Sequence, residues 1–268
     1  MTIGTVQEFE TYLRGRGLSP YTVKAFTSDI KQLIEFAGDR DITDDIISEW
    51  FKALKERGLK NKSLARKATS ISAYSRLFGL GWNIPRVRAE KKLPDALTEV
   101  EARAIIQAAE NSRDPERNSL ILELMLRCGL RSAELLSIRR RDIESDGGMV
   151  FIRITGKGNK ERRVPVVHKH LISSLRRYTR GLDPDDLLFP MSSRNLRKIV
   201  CRLGMIAGID KRVHPHMLRH TAATVYLRRG ANIETVRRIL GHESLATTQK
   251  YLALTDSDVA RDISKASW

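Results

Sequence analysis

The sequence predicts a mainly α-helical protein with one small antiparallel β-sheet, laid out as two domains. Three observations predict this. Apolar residues recur at helical spacing, behind residues that cap helices, over most of the chain. One clear strand signal stands out: Met149 to Ile154 alternates, Gly156-Lys157-Gly158-Asn159 turns, and Arg162 to Val167 returns. Residues 85–95 form a basic run bracketed by Pro85 and Pro94 with no apolar period, as an extended linker does. The expected boundaries are therefore a helical domain over 1–85, a linker over 86–95 and a second domain over 96–268.

Each element follows from its residues. Thr5, Val6, Phe9 and Leu13 share one helical face. Ser19-Pro20 starts a second helix, because serine caps and proline suits the first helical position; Val23, Phe26, Ile30, Leu33 and Phe36 continue it. Thr43 caps a third, with Ile46, Ile47, Trp50, Phe51 and Leu54 inside and Gly58 at its end. Ser63 is expected to open a fourth, with Leu64, Ala68, Ile71 and Leu77 buried and Lys62, Arg66, Lys67 and Arg76 on its open side. In the second domain, Thr98 and Glu101 form a capping box, a further helix ends near Gly129, Arg131 to Ile138 is helical, and helices dominate again from Ser192.

Composition narrows the function. At 41% apolar the chain can build ordinary cores, and it contains no apolar run long enough to span a bilayer. Its N-terminus lacks the layout of a secretory signal, and Cys128 and Cys201 show no metal-ligand spacing, which fits a reducing cytoplasm. The net charge is +16, and it is uneven: residues 52–92 hold twelve basic and two acidic side chains, whereas residues 1–51 hold five and nine. A polyanion such as nucleic acid would gather that central stretch and the basic C-terminal half around itself. The Lys62, Arg66, Lys67 and Arg76 face is where a DNA backbone is expected to lie.

Four scattered segments carry candidate chemistry. Gly129 permits a tight reversal before Arg131, with Glu134 one turn on and able to orient it. Lys157 sits at a glycine-rich hairpin tip from which it can swing into a groove; the spacing is not that of a Walker loop. His214, His216 and His220 fall within seven residues, but no His-Glu-x-x-His helix or completing carboxylate accompanies them, so no metal is expected. His216 and Arg219 are spaced to share one helical face. Last come His242 and Tyr251.

The order Arg131, Lys157, His216-x-x-Arg219, His242, Tyr251 resembles the tyrosine recombinase (phage integrase) family, and the Gly-Leu-Ser-x-x-Thr run at Gly17 to Thr22 adds to it. The likeness covers nearly the whole chain, and within the family it is greatest to the Xer recombinases. It departs in Cys128 where threonine is frequent, in Ala133-Glu134 where Ser-Glu is frequent, and in Phe26 where tyrosine is frequent. The resemblance implies an N-terminal SAM-like core-binding domain and a C-terminal catalytic domain. It implies Tyr251 as nucleophile, Lys157 as the acid for the departing 5′ oxygen, and no cofactor. The implied partners are double-stranded DNA with a short inverted-repeat site and three further copies of the chain, tetramerised through the C-terminal tail. Physical chemistry supplies the other roles: Arg131 and Arg219 each donate paired hydrogen bonds to the phosphoryl oxygens, His216 and His242 add to them, and His216 is the expected acceptor of the phenol proton. After Tyr251, Thr255 with Asp258 forms a capping box, and Val259, Ile263 and Trp268 supply apolar groups for docking on a neighbour. The expected function is Xer-like resolution of chromosome or plasmid dimers; integration of a mobile element, a monomeric type IB topoisomerase and a non-catalytic DNA-binding protein are the alternatives.

Overall fold

The structure is a computed structural model that describes residues 5–88, 95–156, 161–242, 244–249 and 251. Lys157 and the tail 252–268 lie outside the described residues, as do most of the hairpin turn and residues 89–94 of the expected linker. The chain divides into two compact units, residues 1–92 and 93–268.

The first unit is four helices: α1 (Val6–Gly15), α2 (Pro20–Ala37), α3 (Asp44–Glu56) and α4 (Asn61–Phe78). Ser19 accepts from Thr22 N–H ahead of Pro20 and Thr43 accepts from Ile46 N–H, as expected. Thr5, expected on the apolar face of the first helix, is instead its exposed N-cap and closes a reciprocal capping box with Glu8. Phe9, Leu13, Val23, Ile30, Leu33, Ile47, Trp50, Leu64, Ile71 and Tyr74 are buried together, which is the face that the spacing marked. The start of α4 differs from expectation. It begins at Asn61 behind Lys60, which makes no side-chain cap, and Ser63 falls inside the first turn.

Lys67 corrects the expected basic face. Lys62, Arg66 and Arg76 reach solvent, but Lys67 is buried. Its Nζ donates to Asp29 Oδ1 at 2.9 Å and to Gln32 Oε1 at 2.7 Å, and lies 5.0 Å from the Trp50 ring centroid. Asp29, itself 1% exposed, also accepts from Ser70 Oγ at 2.8 Å and from Arg66. The physical reason is charge pairing: a buried carboxylate on α2 requires cations, and α4 supplies them. Lys67 therefore holds α2 to α4 and is not available to a phosphate. Asp29→Ala is expected to destabilise this unit by about 3–5 kcal/mol, because it leaves a buried ammonium unpaired. Urea unfolding followed by tryptophan fluorescence checks it; an unchanged midpoint refutes the assignment.

The second unit joins a helical layer to one sheet. Its helices are α5 (Glu99–Glu110), α6 (Pro115–Cys128), α7 (Ser132–Ser137), α8 (Lys169–Tyr178), α9 (Ser193–Ile206), α10 (Pro215–Arg228), α11 (Ile233–Leu240) and α12 (Leu245–Gln249). The strands β1 (Ile143–Asp146), β2 (Met149–Thr155) and β3 (Glu161–Val166) form an antiparallel sheet in that order. Val150, Ile152, Ile154, Val164 and Val166 share one buried core with α6 residues Ile121, Leu124 and Met125.

Three elements went unread in the sequence: the short 3-10 helix Arg140–Asp142, β1 and α8. β1 is only four residues long and half exposed, and it joins β2 through Gly147-Gly148, whose φ values of 55° and 79° suit the tight hairpin turn that twisted strands need. α8 has few apolar residues; Leu171 and Leu175 alone are buried. The outer face of the sheet is a ladder of charges, in which Arg153 pairs with Asp142 and Glu144, and Arg163 pairs with Glu144 and Asp146 while lying over Phe151.

Candidate active site

The site is built where α6 ends. Gly129 closes that helix in the left-handed conformation, at φ 64°. A Cβ there would meet Leu240 Cδ2 at 2.5 Å, so glycine is what lets the end of α11 approach. Two residues later Arg131 caps α7, and Glu134 sits at the third helical position, where it accepts from the Arg131 backbone N–H at 2.8 Å and from Arg131 Nη1 at 2.7 Å. The sequence expectation that Glu134 orients Arg131 describes this contact.

Glu134 is shared more widely. Arg162 on β3 reaches it with two parallel bonds, Nη1 to Oε1 at 3.0 Å and Nη2 to Oε2 at 2.9 Å, and Arg219 Nη1 lies 3.7 Å from Oε2. Burial alone would push the Glu134 carboxyl up, but the Arg162 bonds, the Arg131 backbone N–H, the Arg162 charge and the Arg131 side-chain bond hold it at about 2. A carboxylate depressed from 4.5 to about 2 contributes about 3 kcal/mol of stability. Because the folded value lies below the unfolded one, that stability is complete above about pH 4.5 and is lost as pH falls toward 2. The difference in stability between wild type and Glu134→Gln is thus expected to shrink over that window. Urea midpoints at successive pH values test this, and a constant difference refutes it.

The same three arginines satisfy the end of α11. Arg162 Nε donates to Ile239 O at 2.9 Å, Arg219 Nη2 to Leu240 O at 2.6 Å, and Arg131 Nη2 to Gly241 O at 2.9 Å. Helix ends leave such carbonyls without partners and carry partial negative charge, so cations belong there. Arg219 also donates to Gly129 O at 2.6 Å. Burial and the nearby Arg131 bring Arg219 down to about 10, which still leaves it charged at neutral pH. Arg162 packs closely on Gly241, where a Cβ would come within 2.9 Å of its Nη1.

His242 follows directly from this helix end. It is 7% exposed, its Nδ1 lies 2.8 Å from Thr248 Oγ1, and burial followed by the charges of Arg219 and Arg131 lowers it to about 4. On α10, His216 stacks on His220 with centroids 5.6 Å apart, and His220 contacts the Tyr251 ring at 5.4 Å. The Tyr251 ring in turn stacks on His242 at 6.3 Å. The phenol hydroxyl lies 2.6 Å from His220 Nδ1. Burial raises the phenol above its usual 10, against the lowering influence of Arg219 and Arg131.

The structure therefore gathers Arg131, Arg219, His242 and Tyr251, with His216 one ring from the tyrosine through His220. Lys157 lies outside the described residues. Sequence reasoning missed Arg162, His220 and Thr248. Arg162 had a readable signal: it shares the inward register of Val164 and Val166 on β3, and an inward arginine needs a buried partner. A groove of about 1430 Å³ runs past this cluster, lined by Arg131, Glu134, Arg162, Arg237, Arg238 and His242 among others. Among the described residues, no group of three or more His, Cys, Asp or Glu is placed to hold a metal ion, and no helix is long and apolar enough to cross a membrane.

Comparison with known proteins places this geometry. Residues 95–258 match the Phage integrase family, and residues 6–78 match the phage integrase N-terminal SAM-like domain. The chain is 35% identical over 285 residues to a tyrosine recombinase of Pseudothermotoga lettingae, covering 97% of each. It is 32% identical over 274 residues to tyrosine recombinase XerA of Thermococcus kodakarensis, covering 97% of this chain and 94% of that one. The solved structure of XerH site-specific recombinase, in a post-cleavage complex with palindromic difH substrate, shares the fold: TM-score 0.76 at 21% identity, covering 97% of this chain and 84% of that one. The chain belongs to the phage integrase family and is a site-specific recombinase of the tyrosine type.

Proposed function

We propose that this recombinase cleaves and rejoins DNA through a 3′-phosphotyrosine on Tyr251, in an Xer-like role that resolves chromosome or plasmid dimers. The observation that carries the proposal is the convergence at the end of α11: Tyr251 stacks on His242, and Arg131 and Arg219 bind the carbonyls of Gly241 and Leu240 just before it. A phosphodiester seated there would receive paired N–H bonds on its non-bridging oxygens, where the pentavalent transition state gathers negative charge. His242 and His216 add donors, and Lys157 would protonate the departing 5′ oxygen. The phosphotyrosine conserves the backbone bond energy, so a partner strand's 5′-hydroxyl can reseal it without a nucleotide. Two such exchanges pass through a four-way junction.

The assembly belongs to the same proposal: a tetramer on two short inverted-repeat sites, linked through the tail 252–268, with Lys62, Arg66 and Arg76 on the DNA backbone. The Xer names of the relatives support the Xer-like role over integration of a mobile element.

A nicked suicide duplex carrying the cognate site tests the proposal. Wild-type protein is expected to form a covalent adduct, visible on a denaturing gel, and to keep forming it in excess EDTA because the arginines supply the positive charge. No adduct at any protein concentration removes the enzyme reading in favour of a binding protein. An adduct that needs magnesium removes the arginine account.

A further inference from the structure

We infer that His220 is a further catalytic residue: it accepts the Tyr251 proton as the strand is cut. This rests on Tyr251 being the nucleophile. The geometry is direct. The phenol oxygen lies 2.6 Å from His220 Nδ1, within hydrogen-bond reach. With the phenol as donor, the role the inference assigns it, Nδ1 carries the lone pair and the neutral ring holds its proton on Nε2.

Its setting suits the task. His220 follows Arg219 on α10, and Arg219 is fixed by the carbonyls of Gly129 and Leu240. The proton acceptor and a phosphate-binding guanidinium thus come from consecutive residues of one rigid helix. His216 stacks on the His220 ring and steadies it. His242 is oriented differently: its ring lies nearly parallel to that of Tyr251, at 13°, and its Nδ1 is engaged with Thr248. Its Nδ1 is thus taken by Thr248, whereas the His220 Nδ1 meets the phenol directly.

The step balances. As Tyr251 Oη attacks phosphorus, its O–H bond breaks and the proton passes to His220 Nδ1, giving an imidazolium. The Oη–P bond forms, the P–O5′ bond breaks, and O5′ leaves as a hydroxyl with a proton from a separate acid, the role proposed for Lys157. In rejoining, the 5′-hydroxyl attacks phosphorus as its O–H proton passes back to the group that had supplied it, the Oη–P bond breaks, and Oη takes its proton back from His220. Without DNA the proton stays on the phenol. Burial raises Tyr251, while burial and then His216, His214 and Arg219 lower His220 to about 4. A phosphodiester seated on Arg219 and Arg131 would offset the cations that depress His220, so transfer is tied to bound substrate.

Single-turnover cleavage of the suicide duplex tests this. His220→Asn keeps an acceptor near the Nδ1 position but takes up no proton; His220→Gln serves as a second variant should the first fold poorly. Both are expected to bind DNA as wild type does and to cleave about 10²–10³-fold more slowly. Placing 3,5-difluorotyrosine at position 251, a more acidic phenol, is expected to recover much of that loss, which a merely structural role would not allow. The acid limb of the wild-type pH–rate profile is expected to change in the variants; the groups facing His220 are His214, His216, Arg219, His242, Asp95 and Tyr251 itself. Wild-type cleavage by His220→Asn overturns the inference, as does a loss confined to His216→Asn. Adduct formation by Tyr251→Phe instead overturns the nucleophile reading, so the two failures are distinct.

Discussion

Tyr251→Phe is expected to abolish the covalent protein–DNA adduct while leaving DNA affinity unchanged. Phenylalanine keeps the ring, and with it the stacking on His242 and the contact with His220. It loses one oxygen and one hydrogen bond to His220, a change worth about 1 kcal/mol in the folded protein. That small structural cost contrasts with a total chemical one: without Oη no bond to phosphorus forms, so the loss is complete and not graded. A denaturing gel reads the adduct and a native gel reads binding. Adduct formed by the variant removes Tyr251 from the reaction.

Arg219→Gln is expected to slow cleavage about 10³-fold, the scale found for removing a preorganised donor to a developing oxyanion. Arg219 is 2% exposed and donates to both Gly129 O and Leu240 O at 2.6 Å. Glutamine removes the charge that the proposed mechanism sets against the phosphate and also frees a buried carbonyl, so stability is expected to fall as well as rate. Measuring single-turnover cleavage at temperatures well below each protein's thermal midpoint separates the two. Arg219→Lys refines the test. It keeps the charge, but an ammonium does not reproduce the planar fork that spans two carbonyls, so an intermediate rate is expected. Cleavage by Arg219→Gln within about tenfold of wild type refutes the transition-state role.

The same physics explains what was legible beforehand. Ser19, Thr43 and Thr98 announced helix starts because a cap acts on N–H groups two or three residues away. Phe9, Ile30, Ile47 and Ile71 announced buried faces because the helical period is local. α8 and β1 escaped because their apolar content is low and their stability comes from what they pack against.

By itself the sequence determined the helical character, the β2–β3 hairpin, the order of Arg131, Lys157, His216, Arg219, His242 and Tyr251, and through that order the family. Only the tertiary structure decided which charges are spoken for. Lys67 turns inward to Asp29, Arg162 turns inward to Glu134, and Tyr251 meets His220. The reason is separation along the chain. A period tells a residue which face of its own element it occupies, whereas Asp29, Glu134 and His220 lie 38, 28 and 31 residues from the partners they meet. Such pairings form only when whole elements pack, and the cost of leaving a buried charge unpaired then fixes them.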